Sequence, residues 1–409
     1  MPSFLPRTAE TLIERALATM PVVVLMGARQ TGKSTLARLP PRADSRSYVT
    51  LDDFDVLEQA RTAPYDLVRR APVLTLDEVQ REPGVLLAVK GAVDEDRPRR
   101  PGRFLLTGSA NLLLMQRVSE TLAGRATYVP LWPFTRREQL GFGTAGIWSD
   151  LLATKPEHWF DLVGAQTAPH EDWVALARRG GYPTPAVELD GRAGRELWYD
   201  GYVRTYLERD LQMLASVDNL VDFRRLMRAA CLRLGGLLNQ TDLARDVGLP
   251  RQTASRYLSL LEASYQLVRL EPYSVNRTKR LAKTPKLYWS DTGLAAHLAG
   301  VSDLSGSYLE NLVLGDLNAW RDASEPRAEI LFWRTHSGEE VDFLIEVGGL
   351  LLPIEVKAAR RVIPRDARHL QTFRAEYGDA VLGGLVLYGG EDVFWLAEGI
   401  LAAPWWKVI

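Results

Sequence analysis

The 409-residue sequence predicts an α/β protein of several domains. Three observations carry this. Short apolar runs alternate with helix-forming stretches over the first third of the chain. A long helical, tryptophan-containing stretch follows. Near the end, two apolar strands flank a Gly-Gly pair. The length suits two or three domains, each able to bury its own core.

The first run, Val22-Val23-Val24-Leu25-Met26, leads into Gly27-Ala28-Arg29-Gln30-Thr31-Gly32-Lys33-Ser34, and the helix-compatible Thr35–Leu39 follows. This is G-x-x-x-x-G-K-[ST] between a strand and a helix, the context a phosphate-binding loop needs. Gly27 and Gly32 let the backbone of Ala28, Arg29, Gln30, Thr31 and Thr35 curl so that its N–H groups surround phosphate oxygens, at the positive end of a helix. Lys33 reaches the β/γ-phosphates and the Ser34 hydroxyl ligates Mg²⁺. ATP and Mg²⁺ are the expected ligands.

Tyr48–Leu51 supplies a second strand. The third, Val73–Leu76, ends in Asp77-Glu78. Two carboxylates at the carboxyl end of a buried strand suit a nucleotide site: Asp77 to hold Mg²⁺, Glu78 to polarise the attacking water. A fourth strand, Arg103–Thr107, ends in Gly108-Ser109-Ala110-Asn111, where Ser109 is the first choice and Asn111 the second for sensing the γ-phosphate. Thr127–Leu131 is the fifth strand. Arg125, just before it, is the candidate arginine finger, acting in cis or across a subunit boundary, with Arg117 as the alternative. Intervening helices make the sheet parallel.

Residues 141–225 read as a helical lid or connector. Within 226–290, Leu238–Leu258 has the form of two short helices. Thr241 is a candidate cap, Gly248 ends the first helix, and Pro250 opens the second, which buries Tyr257, Leu258 and Leu261. Arg251, Gln252, Ser255 and Arg256 are expected to face outward. From Arg251 to Lys286 there are eight basic residues against Glu262 and Glu271, a local charge of +6. Such a run is either a solvated face or the footprint of phosphate-backbone contact, with Arg251, Arg256, Lys279 and Arg280 as contacts.

In 291–409, Val341–Ile345 and Leu352–Lys357 flank Gly348-Gly349. If those glycines are the two loop residues of a hairpin, cross-strand partners sum to 697 and Asp342 faces Glu355. Glu355 and Lys357, two apart, share a face. The two carboxylates repel, and a divalent cation, or in part Lys357, relieves that repulsion.

Whole-chain properties narrow the field. The formal charge is −1, so any basic surface is local. Cys231 is the single cysteine, which leaves no disulfide framework and fits a reducing compartment. Glu10 and Glu14 in the first amphipathic stretch argue against a signal peptide, and no apolar run nears the roughly 20 residues that span a bilayer. A cytoplasmic protein without a membrane partner is expected.

Gly27–Ser34, Leu76–Arg81, Leu106–Ser109 and Leu122–Arg125 resemble the N-terminal module of a prokaryotic family of AAA-type ATPases with a C-terminal region of long unknown function. Gly180–Pro183, Tyr206–Asp210 and Lys286–Gly293 look like further landmarks of that family. Leu238–Leu258 resembles a helix-turn-helix inside a winged-helix domain. Asp342, Glu355-x-Lys357 and the upstream Glu310 resemble the core of restriction-endonuclease-like nucleases. The resemblance implies an AAA-type core over 1–140, a winged-helix domain over 226–290 and a nuclease-like α/β domain over 291–409. It further implies that Asp342 and Glu355 bind Mg²⁺, that Lys357 orients water and that Glu310 supports the metal. The function so implied is ATP-driven processing of DNA, moving or remodelling a junction or end. The C-terminal domain grips the DNA, and the sequence leaves cleavage open. The protein is expected to be a homo-oligomer, as a hexameric ring. The alternative is a regulatory or defence ATPase that acts through protein partners.

Overall fold

The computed structural model describes residues 4–39, 42–96, 98–108, 121–208, 219–276 and 283–409, with the side chains of 43 and 206–208 excepted. Val22–Met26 (β1) is buried at all five positions, as a strand covered on both faces must be. It joins β2 (Ser47–Thr50), β3 (Leu74–Asp77), β4 (Phe104–Thr107) and β5 (Ala126–Pro130) in a sheet of order β2-β3-β4-β1-β5. All four pairings are parallel.

The strand residues alternate between two apolar layers. Val22, Val24, Leu74, Leu76, Phe104 and Leu106 pack with Val89 and Val93 of α3 (Val85–Glu95). Val23, Leu25, Leu105 and Val129 pack with Ile13 of α1 (Ala9–Thr19) and Leu36 of α2 (Lys33–Arg38). The strands begin and end within one residue of the expected runs, and the carboxyl ends of β1, β3 and β4 lie together.

The middle is helical: α4 (Trp173–Arg179), α5 (Arg192–Tyr202), α6 (Leu220–Leu232), α7 (Gln240–Asp246) and α8 (Arg251–Ala263). Next, β6 (Leu267–Leu270) pairs antiparallel with β7 (Lys286–Trp289), and a single bridge joins Leu237 to Lys286. Asn239, rather than Thr241, caps α7, accepting from the amides of Thr241 (3.1 Å) and Asp242 (3.2 Å). Its side chain lies one residue ahead of the helix, where the unpaired amides point. Gly248 has φ +70° and ends that helix turn. Tyr257, Leu258 and Leu261 are buried; Arg251, Gln252 and Arg256 are exposed, and Ser255 is half-buried.

The C-terminal part contains α9 (Thr292–Ala299), α10 (Gly306–Ala323), β8 (Glu329–Arg334), β9 (Glu340–Val347), β10 (Leu350–Lys357), α11 (Arg368–Tyr377), β11 (Gly384–Tyr388), β12 (Phe394–Ala397) and β13 (Ile400–Pro404). The sheet order is β12-β13-β11-β10-β9-β8, with β10, β11 and β13 parallel. Leu309, Val313 and Leu317 of α10 line one face, and Leu370 and Phe373 of α11 line the other. A single continuous core runs from Trp148 through Leu243 and Leu258 to Phe343 and Val408, so the middle and C-terminal parts are packed together. Trp132, just beyond β5, donates its indole N–H to Asp322 of α10 at 2.8 Å. No helix among the described residues is long and apolar enough to cross a membrane.

Candidate nucleotide site and C-terminal carboxylate cluster

The phosphate loop turns at three left-handed positions: Gly27 (φ +143°), Gln30 (+60°) and Gly32 (+92°). A Cβ on Gly27 would stand 2.3 Å from the carbonyl oxygen of Leu131, so close approach to the end of β5 demands glycine there. Lys33 is buried, and its ammonium bonds the carbonyls of Ala28 (2.6 Å) and Gly27 (3.2 Å). Burial pulls its pKa down to about 8, against the opposing pull of Glu78 and Asp77. The Ser34 hydroxyl donates to Asp77 Oδ1 at 2.9 Å.

Asp77 also accepts from Tyr48 Oη at 2.5 Å and from the Thr107 hydroxyl. The hydroxyl oxygen of Ser34 and the carboxylate of Asp77 meet at the strand ends. This all-oxygen donor set fits Mg²⁺. Glu78 holds φ +58°. Burial first, then the neighbouring Asp77, raises its carboxyl pKa, and the Gln80 amide donates to it. Arg29, Lys33, Ser34, Thr35, Glu78 and Arg81 border a cleft of about 500 Å³. Beneath the loop, the Arg7 guanidinium lies over the Phe134 ring (4.2 Å) and donates to the carbonyls of Thr31 (2.9 Å) and Trp132 (2.5 Å).

Arg7, Tyr48 and Thr107 are site residues that the sequence did not single out. Thr107 ends β4, two residues before Ser109 in the sequence, so the strand-end motif was a signal for it too. Arg7 and Tyr48 carry no motif. Ser109, Asn111, Arg117, Lys279 and Arg280 lie outside the described residues.

Arg125 requires a correction. Ala126 pairs with Val22 and Pro130 with Met26, so Arg125 lies at the amino end of the sheet. It is six residues of strand, about 20 Å, away from the phosphate loop. There it makes a two-pronged ion pair with Asp94, both contacts 2.8 Å. Action on its own nucleotide is excluded by this topology.

The Gly180–Pro183 and Lys286–Gly293 landmarks are joined by packing. The Gly181 amide donates to the buried Asp291 carboxylate at 2.6 Å, and a Cβ on Gly293 would stand 2.1 Å from Tyr199 Oη. The Tyr182 and Tyr202 hydroxyls meet at 3.0 Å, and both bond the fully buried Gln266 side chain, at 3.2 and 3.1 Å. Tyr202 Oη also reaches the carbonyl of Arg29 in the phosphate loop at 3.4 Å. Gln266 lies between α8 and β6, so this network runs from the helix pair to the nucleotide site. The +6 segment presents less free charge than its sequence suggests. Arg269 pairs with Glu262 at 3.1 Å, and Lys286 is buried.

In the C-terminal sheet, β9 and β10 pair in the expected register: Val347 faces Leu350, and Phe343 faces Ile354. Gly348 and Gly349 form the turn with φ +57° and +87°. Phe343, Ile345, Ile354 and Val356 share one core face. Against β8, two residues of β9, Asp342 and Phe343, stand opposite Phe332 alone, a bulge that re-aims the Asp342 side chain. Asp342 Oδ2 accepts from the Val356 amide at 2.9 Å. Lys357 Nζ donates to Glu355 Oε1 at 2.6 Å, and Tyr288 Oη to Glu310 Oε2 at 2.9 Å.

Burial, reinforced by Asp342, raises the pKa values of both Glu310 and Glu355. Glu355 Oε2 is buried with no hydrogen-bond partner. The unexpected member is Lys286 of β7. Its ammonium sits 2.5 Å from Glu340 Oε1 and 3.5 Å from Asp342 Oδ1. Burial opposes that charge, and Asp342, Glu310 and Glu340 outweigh it, so the pKa lies above the ordinary lysine value. Among the described residues, no three His, Cys, Asp or Glu side chains converge as metal ligands. With two ammonium groups on its carboxylates, the cluster as arranged does not fit a divalent cation.

Comparison with known proteins matches residues 19–140 to an AAA domain, 170–305 to a domain of unknown function (DUF8612) and 305–408 to another (DUF4143). The chain is 32% identical over 408 residues to Mb2031c of Mycobacterium bovis and to Rv2008c of Mycobacterium tuberculosis, both described as uncharacterized. Each alignment covers 97% of this chain and 83% of the relative. Among solved structures, the chain is similar to the Walker-type ATPase paby2304 of Pyrococcus abyssi. The TM-score is 0.40 and the identity 16%, over 71% of this chain and 94% of that one. It is similar also to a RuvB variant of Thermotoga maritima, with TM-score 0.30 and 18% identity over 65% and 90%. Likenesses this distant carry no functional argument.

Proposed function

The chain belongs to the family of the mycobacterial proteins Rv2008c and Mb2031c, and its N-terminal part is an AAA-type ATPase module; from that premise we propose that it hydrolyses ATP to move or remodel DNA. In this reading the loop amides and Lys33 bind the phosphates, Ser34 and Asp77 hold Mg²⁺, and Glu78 takes the proton of the attacking water. Bound Mg²⁺ supplies neutralisation of charge on the phosphate oxygens. Ser109 is proposed to sense the γ-phosphate. Arg125 is proposed to be donated across a subunit boundary in a ring, taken as a hexamer.

The α7–α8 pair with β6 and β7 is read as a winged helix that places Arg251 and Arg256 against DNA phosphates. Lys279 and Arg280 are proposed to extend that contact. The C-terminal domain is read as nuclease-like and as a grip on DNA.

The observation that carries this reading is the buried Gln266–Tyr202 contact with the Arg29 carbonyl. It ties the end of the exposed-faced α8 to the loop proposed to hold the phosphates, which supports a reading in which events on one bear on the other. The test is the steady-state ATPase rate with duplex, single-stranded, forked and four-way DNA. Stimulation several-fold by at least one of these is expected. A rate unchanged by all four would discard DNA as the driven substrate and favour a protein partner.

A further inference from the structure

The carboxylates of Glu310, Glu340, Asp342 and Glu355 gather where β9 begins and β10 ends, beside α10. Repulsion in so dense a group is relieved by protonation or by a cation. In a nuclease-like domain that cation is expected to be a divalent metal. Here the space beside Asp342 is taken by Lys286, which comes from β7, outside that sheet. Lys286 is 3% exposed in its side chain and contacts Glu340 at 2.5 Å and Asp342 at 3.5 Å. The same strand brings Tyr288 onto Glu310 at 2.9 Å.

Other oxygens of the cluster are also committed. Asp342 Oδ2 holds the Val356 amide, and Glu355 Oε1 holds Lys357. Glu355 Oε2 alone is buried without a partner. An ion such as Mg²⁺, held by one or two carboxylates with water completing its octahedron, would have to compete with Lys286 for Asp342 Oδ1 and with Lys357 for Glu355 Oε1. An ammonium group beside the same carboxylates repels it further.

We infer that Lys286 is the built-in cation of this cluster and closes it to divalent metal, so that the domain holds its acids together without an ion. The inference rests on the nuclease-like reading only for the expectation of a metal. Because β7 pairs with β6, which in turn packs against α8, the closing cation is contributed by the helix-pair unit, and the cluster is complete only while the two parts are docked.

The test is Mn²⁺ titration of full-length, nucleotide-free protein followed by the EPR signal of free Mn²⁺. Wild type and Asp342→Asn are expected to bind equal amounts. Lys286→Met is expected to gain a site about tenfold or more tighter than any wild-type binding outside the nucleotide site, and Lys286→Met with Asp342→Asn to lose it. If Lys286→Met does not fold, Lys286→Met with Glu340→Gln, which removes one charge of each sign, takes its place.

A wild-type site that Asp342→Asn abolishes would overturn the inference while strengthening the nuclease-like reading, so the two fail separately. Absence of any added site in the folded Lys286 variants would overturn it as well.

Discussion

Lys33 is a buried ammonium whose burial penalty is offset only in part by Asp77 and Glu78, which sets its pKa at about 8. A nucleotide triphosphate adds negative charge beside it and raises that value. Between pH 8 and the higher bound pKa, ATP binding must therefore take up a proton, and affinity must fall as pH rises, by up to about tenfold per unit. Calorimetry at pH 8.5 in two buffers of different ionisation heat measures the uptake; equal binding heats would contradict it. Lys33→Ala should abolish turnover. Glu78→Gln should retain nucleotide binding and lower kcat by roughly 10² or more, because general-base assistance is lost. Substantial turnover in Lys33→Ala would deny that lysine a part in phosphate binding, and in Glu78→Gln would deny that carboxylate the part of general base.

Secondary-structure elements place these groups and link them. On α8, Arg251 and Arg256 are exposed on the same helix whose Tyr257, Leu258 and Leu261 anchor it. Replacing both arginines with alanine should weaken DNA binding and flatten the slope of log K against log[salt] by about 0.9 for each phosphate no longer neutralised. An unchanged slope moves the DNA path elsewhere. At the other end of the helix, Gln266→Leu strips the Tyr182 and Tyr202 hydroxyls of a buried partner. A loss of about 1–3 kcal/mol in urea unfolding is expected. In the C-terminal sheet, the Gly-Gly turn sets the β9–β10 register, whereas the β8–β9 bulge at Asp342 sets where that carboxylate points.

At the scale of the whole molecule, Arg125 cannot serve its own nucleotide, so if it is the arginine finger proposed above, hydrolysis should require assembly. Mixing Arg125→Ala with Lys33→Ala protein should restore part of the ATPase activity through the mixed interfaces. Full activity of Arg125→Ala alone would place the finger on another residue. The junction of the middle and C-terminal parts makes stability depend on pH. Asp316 of α10 accepts from the Trp148 indole at 2.6 Å and the Gly146 amide at 2.8 Å, and burial pushes its pKa up to about 7. A carboxyl with a raised folded-state pKa contributes stability at low pH that is lost as pH climbs through that value. Tm should fall between pH 5 and pH 8. Asp316→Asn should flatten the fall only in part, because Glu310 and Glu355 are shifted in the same direction. An equal fall in the variant would discharge Asp316 from this role.

What the sequence determined by itself is local chemistry carried by contiguous residues. The phosphate loop, Asp77-Glu78 at a strand end and the outward face of α8 each occupy a few neighbouring positions with fixed periodicity. The register that faces β9 with β10 was legible for the same reason, since a two-residue glycine turn leaves one pairing that buries Phe343, Ile345, Ile354 and Val356 together. Tertiary structure decided everything that depends on distant segments meeting. Tyr48 and Thr107 reach Asp77 from two other strands, and Arg7 braces the phosphate loop from the start of the chain. Arg125 falls at the wrong end of the sheet for its own nucleotide because β5 runs parallel to β1. Lys286, which looks like one more charge in a basic run, turns inward because Asp342 and Glu340 wait there, and a buried ammonium is stable only where such partners already stand.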